Sequence, residues 1–161
     1  MRLLFMAGLV FFLTSCGFHL RGQEALPFDT LAISPEGSPL AGILKQAIEA
    51  GSKARIVQKP TESSYRLQIL SESSDRIILS LDATGQVREF QLRYRVAFRL
   101  LGAGNKEMIP RSEIALNRIM SYDNTQILAK AGEAALLYQS MQSDAADQIM
   151  RRLSAVRPDE N

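Results

Sequence analysis

The sequence predicts an α+β fold in which one antiparallel or mixed sheet of about four strands carries two helices on one of its faces. Three observations predict it: apolar residues at helical spacing around residues 40–48, strict two-residue alternation over residues 90–100, and a long apolar stripe at helical spacing after residue 123. Together with the shorter extended segments, they give the element order β-α-β-β-β-α.

The first strand and the first helix are predicted from local patterns. Residues 30–34, Thr-Leu-Ala-Ile-Ser, are extended and are followed by a Pro-Glu-Gly turn. Ser38 then supplies an N-cap oxygen, and Pro39 suits the first helical position. Apolar residues at steps of three and four continue until Gly51, which predicts an amphipathic helix of about three turns. A further extended piece follows at residues 55–58.

The middle of the chain changes to a period of two, which predicts antiparallel strands with one buried face. Residues 65–81 are extended apart from a polar break at 71–75, which is either a bulge or a turn. Residues 90–100 form the clearest strand, and residues 108–122 return beside it after a Gly-rich turn. Arg118 stands on the apolar face of this last strand, so it lies either at the sheet end or in a pair.

The last helix is predicted to begin after Asp123 or Asn124, either of which can cap it, and to end before Pro158. Its apolar stripe extends over about eight turns and comprises Ile127, Ala131, Ala134, Tyr138, Met141, Ala145, Ile149 and Leu153. These elements predict a single α+β domain at residues 27–157 and a disordered tail at residues 158–161.

The N-terminus predicts a lipoprotein signal peptide at residues 1–15. Arg2 precedes a short apolar run that ends in Leu-Thr-Ser-Cys, and this run is too short to span a membrane as a helix. Leu-small-small-Cys resembles the bacterial lipoprotein box, whose cysteine is acylated and becomes the first residue. Cys16 is therefore the predicted lipidation site and residues 16–26 the lipidated segment. The alternative is an ordinary signal peptide in which the cysteine is incidental.

Composition argues against several function classes. Without the signal the chain keeps 161 − 15 = 146 residues, and 18 basic side chains balance 17 acidic ones because Arg2 is lost. This balance argues against nucleic-acid binding. Cys16 is the only cysteine and His19 the only histidine, so we expect neither an activated nucleophile nor a metal-ligand cluster. The sequence therefore predicts a protein that is not an enzyme and needs no cofactor or metal; a small hydrolase that uses carboxylates is the alternative.

A row of arginines is predicted on the polar side of the central strand. Arg93, Arg95 and Arg99, with Arg88 nearby, alternate with the apolar residues there. Such a row can hold phosphates or carboxylates through forked hydrogen bonds, so these three arginines are candidate binding residues. The alternative is a solvated sheet face with cross-strand ion pairs to Glu113 or its neighbours.

The segment after the cysteine resembles the start of the LPS-assembly lipoprotein (LptE) family. Members typically show Cys-Gly-aromatic-His-Leu-Arg, and residues 16–22 are Cys-Gly-Phe-His-Leu-Arg-Gly. The likeness covers nearly the whole mature chain and continues at residues 85–86, 89–92 and 128–130, Glu133, Tyr138, Met141 and residues 148–153.

The resemblance implies an outer-membrane lipoprotein with a palmitate-bearing anchor on the periplasmic leaflet. Its partners would be the membrane, lipopolysaccharide and the LptD β-barrel, which it would plug and help to assemble while lipopolysaccharide is delivered to the outer leaflet. Gly17 after the lipidated cysteine fits outer-membrane sorting. Lys130 falls on the family's helix lysine and is a candidate for lipopolysaccharide binding, whereas Asp82 and Ala83 stand where some members carry a basic residue. A free periplasmic lipoprotein that binds or carries an envelope component is the alternative function.

Overall fold

The computed structural model describes residues 26–157. The strands are β1 (Thr30–Ser34), β2 (Arg55–Ile56), β3 (Tyr65–Leu81), β4 (Val87–Leu101) and β5 (Glu107–Ser121), and the helices are α1 (Pro39–Gly51) and α2 (Ile127–Ser154). The predicted α+β class is thereby confirmed. The predicted signal peptide, Cys16 with nearly all of the lipidated segment, and the predicted tail lie outside the described residues.

The sheet is mixed, with the strand order β2-β1-β3-β4-β5. β1 pairs in parallel with β2 and with the first residues of β3, whereas β3, β4 and β5 form an antiparallel meander. The described part of the sheet therefore has five strands, one more than the approximate number of four that was expected. The extra strand is Arg55–Ile56, which pairs with Thr30 and Leu31 after the chain crosses over through α1.

β3 is one continuous strand, and the polar stretch at residues 71–75 belongs to it. Its pairing with β4 skips one residue between Ile69 and Ser71, so the irregularity is a bulge at Leu70 and not a turn. The bulge changes which side chains face the helices. After it, the even-numbered residues 72–78 lie opposite the apolar, even-numbered residues of β4.

Both helices pack on the same apolar face of the sheet, with α1 over β1 and β2 and α2 over β4 and β5. Leu44 and Ile48 of α1 join Ile149 and Leu153 of α2 in one buried cluster with Phe98 and its neighbours. α1 begins as predicted, because Ser38 Oγ accepts a hydrogen bond from the Ala41 N–H at 3.3 Å and Pro39 is the first helical residue. The core therefore lies between the two helices and one side of the sheet.

The first turns of α2 differ from the prediction. Asp123 accepts a hydrogen bond from the Thr125 N–H at 2.8 Å and caps a short 3₁₀ turn, and the helix itself starts at Ile127. Ile127 is 59% exposed and Ala131 is exposed as well, so the predicted apolar stripe is not buried at its first two residues. Phe90 at this end of β4 is half-buried, whereas Met120, its register partner in β5, is 1% exposed. Neither described helix has the length and apolar character needed to cross a membrane.

Candidate functional site

On the open face of the sheet, opposite the helices, Arg93 and Arg95 both pair with one carboxylate. Asp75 lies opposite Arg93 in the β3–β4 register. Its carboxylate accepts hydrogen bonds from Arg93 Nε at 2.7 Å and from Arg95 Nη2 at 3.2 Å. The hydrogen bond from Arg93, with a further one from Arg95, lowers the pKa of Asp75 below its ordinary value near 3.8. The carboxylate is therefore ionised at neutral pH and occupies donors that an anionic ligand would need.

Arg99 is also held by neighbouring strands. Its Nε donates to Gln68 Oε1 at 2.8 Å and its Nη1 donates to Glu107 Oε1 at 3.3 Å. The three predicted arginines thus share one face, and cross-strand partners hold each of them. These partners are Asp75, Gln68 and Glu107, where Glu113 or its neighbours had been expected. The described sheet face consequently pairs much of its own charge.

Lys130 lies at the end of the sheet and is engaged with protein groups. Its Nζ donates to Glu133 Oε2 at 2.8 Å and to Ser121 Oγ at 3.1 Å, and only 15% of the side chain is exposed. Ser121 is four residues beyond Asn117, the β5 partner of Arg93, so about 13 Å of strand separates the lysine from the arginine row. The structure therefore does not bring Lys130 and the arginines into one site.

A polar contact beneath the helices joins three elements. Tyr94 Oη donates to Glu72 Oε1 at 2.8 Å, and Ser38 Oγ donates to Glu72 Oε2 at 2.5 Å. Burial and the neighbouring Glu72 carboxylate raise the pKa of Tyr94 far above its ordinary value of 10, so the hydroxyl remains a donor. The contact ties the start of α1 to β3 and β4. Arg118, on the same side of the sheet, pairs with Asp144 of α2 at 2.5 Å, which is the paired alternative expected from the sequence.

The end of the sheet beside the β3–β4 turn exposes aliphatic side chains on both faces. Ile78 lies opposite Phe90 on the helix side and is 57% exposed, whereas Ile119 lies opposite Gln91 on the open side and is 62% exposed. Leu128 in the first turn of α2 is 89% exposed. An antiparallel sheet with one solvated face normally shows apolar residues on a single side. Apolar groups on both faces therefore indicate a contact surface.

Two arginines at this end were not among the predicted site residues. Arg76 places its guanidinium 4.4 Å from the centroid of the Phe90 ring, and its side chain makes no hydrogen bond or ion pair with any described residue. The side chain of Arg88 is exposed and likewise has no such partner within the described chain. The bulge at Leu70 hid the position of Arg76, because it shifts the phase of β3. The sequence signal that could have found it is an arginine directly before three apolar residues, 77–79.

These observations describe an α+β protein with one charged sheet face and one exposed apolar end. Among residues 26–157, no group of His, Cys, Asp or Glu side chains is arranged to hold a metal ion. Comparison with known sequences then identifies the family. The chain belongs to the LptE family, described as lipopolysaccharide-assembly, whose model matches residues 28–153. The family predicted from the resemblance is thereby confirmed.

Relatives and solved structures agree with this membership. The LPS-assembly lipoprotein LptE of Yersinia enterocolitica is 30% identical over 96% of this chain and 76% of its own length. An uncharacterized lipoprotein B from Nitrosomonas europaea is 42% identical, with a TM-score of 0.75 over 86% of this chain and 91% of that one. A rare lipoprotein B from Shewanella oneidensis is 27% identical, with a TM-score of 0.68 over 79% and 95%. None of these names describes an enzymatic activity, in agreement with the prediction.

Proposed function

We propose that the chain is an outer-membrane lipoprotein of lipopolysaccharide assembly, anchored through Cys16 on the periplasmic leaflet. In this proposal it forms a complex with an LptD-type β-barrel as its plug, aids assembly of that barrel, and aids delivery of lipopolysaccharide to the outer leaflet. Membership of the lipopolysaccharide-assembly family supports the general role. The plug role needs a surface that can lie against the inner wall of a barrel.

The observation that carries the plug role is the open face of the sheet. The interior of a large membrane barrel is polar, and a charged face costs less to bury against such a wall when its charges are paired than when they are unpaired. Asp75 pairs with Arg93 and Arg95, and Glu107 pairs with Arg99. The fifteen residues of β4 span about 50 Å, comparable to a bilayer with its headgroups.

Lipopolysaccharide contact through Lys130, Arg93, Arg95 and Arg99 stays a prediction. Their contacts define what binding would require, since a phosphate must displace Asp75 from the arginines or Glu133 from the lysine. A single phosphate that bridges Arg93 and Arg95 would also leave the Asp75 carboxylate without its partners. We therefore expect these residues to bind an anion only when the gain exceeds the loss of these pairs.

Affinity purification from gently solubilised native membranes tests the plug role. We expect stoichiometric recovery of a large β-barrel with the tagged wild-type chain. Arg93→Glu with Arg95→Glu places like charges beside Asp75 and should reduce the recovered barrel. Lys45→Glu with Lys53→Glu makes the same charge change on α1 and after it, remote from the open face, and should not. A wild-type chain recovered alone and monomeric would contradict the plug role and favour the free periplasmic carrier.

A further inference from the structure

We propose that two copies of the chain pair through the free edge of β5, in an antiparallel two-fold arrangement centred on Asn117. The surface, called the β5 edge here, consists of residues 113–121, and it meets the same residues of the second copy. Two sheets of five strands each thereby join into one continuous sheet. The inference concerns the chain apart from any barrel, so it goes beyond the proposed function and does not depend on it.

The backbone of the β5 edge has one side without a partner strand. β5 is the last strand of the described sheet and pairs only with β4. The Tyr122 N–H donates to the Arg88 carbonyl at 2.8 Å, so the even-numbered residues of this ladder direct their backbone groups toward β4. The direction alternates along an antiparallel strand, and the odd-numbered residues therefore direct theirs outward. These residues are Glu113, Ala115, Asn117, Ile119 and Ser121, and all five are exposed.

The β5 edge lacks most of the features that protect sheet edges from pairing, which are lysine, proline, bulges and covering elements. Residues 113–121 contain no lysine or proline, and their register with β4 has no shift. Pro110 and the register shift both precede this segment. Arg118 donates from Nη1 to the Asn117 carbonyl at 3.0 Å, and its charge is paired with Asp144. A carbonyl oxygen has two lone pairs, so Asn117 can still accept a hydrogen bond from a second strand.

The order of residues along the β5 edge favours a second copy as the partner. Asn117 is the midpoint of the five outward-directed residues. Antiparallel pairing about this midpoint gives every outward backbone group a partner, and about ten hydrogen bonds form between the two strands. Glu113 then lies opposite Ser121, and Arg118 lies opposite Leu116. No like charges are therefore placed opposite one another.

The same register covers an aliphatic side chain that is otherwise in solvent. Ile119 is 62% exposed on the open face, and it lies opposite Ala115 of the second copy. Moving the centre by one residue to Arg118 would place two arginines opposite each other, and moving it to Leu116 would place Glu113 opposite Ile119. The side chains therefore select Asn117 as the centre. Nine residues from each copy make a contact smaller than a standard interface of about 1,200–2,000 Å², so we expect a reversible dimer with a dissociation constant of about 10–100 μM.

Disulfide formation between two copies of the full-length protein in detergent tests the centre of the pairing. Asn117→Cys brings two thiols together, because paired Cα atoms lie about 5.5 Å apart and a disulfide needs roughly 4.4–6.8 Å. Ala115→Cys is the matched control, since its two copies lie about 14 Å apart, four residues along the strand. The wild type, with Cys16 as its only cysteine, gives the background.

Mild oxidation should give a covalent dimer of Asn117→Cys at about five times the wild-type yield or more, whereas Ala115→Cys should stay near the background. Ala115→Cys combined with Ile119→Cys should restore the covalent dimer, because these two positions lie opposite each other. Equal yields from the two single variants, or no dimer from Asn117→Cys, would overturn the proposal.

Sedimentation equilibrium, with detergent micelles in excess over protein, measures the association itself. Ile119→Lys places a charge in the β5 edge and should weaken the dimer about tenfold or more. Ile78→Lys makes the same change at a side chain that is 57% exposed on β3, two strands away, and it should alter association no more than about twofold. Both variants should keep the wild-type circular dichroism spectrum. A wild-type chain that stays monomeric at about 1 mM, or a dimer that Ile119→Lys does not weaken, would overturn the proposal.

Discussion

Replacing Tyr94 with Phe tests how α1 is held to the sheet. Tyr94 is 1% exposed, and its hydroxyl donates to Glu72, which also accepts from the N-cap Ser38. Glu72 is half-buried, so water can reach part of its carboxylate. Loss of the tyrosine hydroxyl therefore leaves Glu72 with Ser38 and water. Loss of Glu72 leaves a buried hydroxyl without an acceptor, which is the more costly of the two changes.

The magnitudes follow from these contacts. Tyr94→Phe should lower the free energy of unfolding by about 1.5 kcal/mol, the lower end for a hydrogen bond to a charged group, because Glu72 stays partly hydrated. Glu72→Ala should lower the free energy of unfolding by about 3 kcal/mol, because it also leaves the buried tyrosine hydroxyl without an acceptor and removes the partner of Ser38. The double variant should cost roughly 1.5 kcal/mol less than the sum of the two single variants, because the phenyl ring needs no acceptor.

Urea unfolding at neutral pH, followed by circular dichroism, measures all four proteins of this cycle. Tyr122→Phe is the control, because it makes the same chemical change where the structure shows no hydrogen bond from the hydroxyl to a described residue; it should cost less than about 0.5 kcal/mol. Additivity of Tyr94→Phe and Glu72→Ala within about 0.5 kcal/mol would refute the coupling argued here.

Four other substitutions test separate features. The lowered pKa of Asp75 means that its pairing stabilises the fold above pH 3.8, and that this stabilisation is lost as the pH falls through the lowered value. Asp75→Asn should therefore lower the free energy of unfolding at pH 7. In urea unfolding at decreasing pH, the difference between this variant and the wild type should shrink below pH 3.8. Gly132→Ala lies at an exposed helical position with open space around the added methyl, and it should stabilise the fold by about 0.5–1 kcal/mol. Gly85→Ala, at φ +83°, should destabilise the fold by about 1–2 kcal/mol in thermal or urea unfolding. A gain in stability at Gly85 would contradict the turn geometry. Cys16→Ala behind an ordinary cleavable signal should still recover the barrel in the purification described above, though less of it, and complete loss would show that the lipid directs docking.

Much of the fold could be predicted because its signals are local. Strict alternation over residues 90–100 placed Arg93, Arg95 and Arg99 on one face, and no bulge interrupts the pairing of β4 with β3 between Phe90 and Ala97. The Ser-Pro start of α1 likewise acts through its own backbone. The partners of the arginines could not be predicted in the same way. Asp75 meets Arg93 only because a one-residue bulge at Leu70 resets the register of β3.

The candidate lipopolysaccharide-binding residues could likewise be predicted only in part. Lys130 was found through its position in a family pattern, but its contacts with Ser121 and Glu133 depend on where α2 starts relative to the end of β5. Arg76 carries no local pattern that predicts its surroundings in the sheet. Its isolation from carboxylates and its stacking on Phe90 arise from two strands that are brought together by the β3–β4 turn.

By itself the sequence determined the α+β class, the order of the main elements and the family, because periodicity, capping residues and the segments that resemble the family are each read over a few residues of chain. Only the tertiary structure decided which charges neutralise one another, where the helix cover ends and which aliphatic groups remain in solvent. Those outcomes depend on strand register and on the placement of α2 over β4 and β5. A bulge of one residue is enough to move a side chain from one face of the sheet to the other.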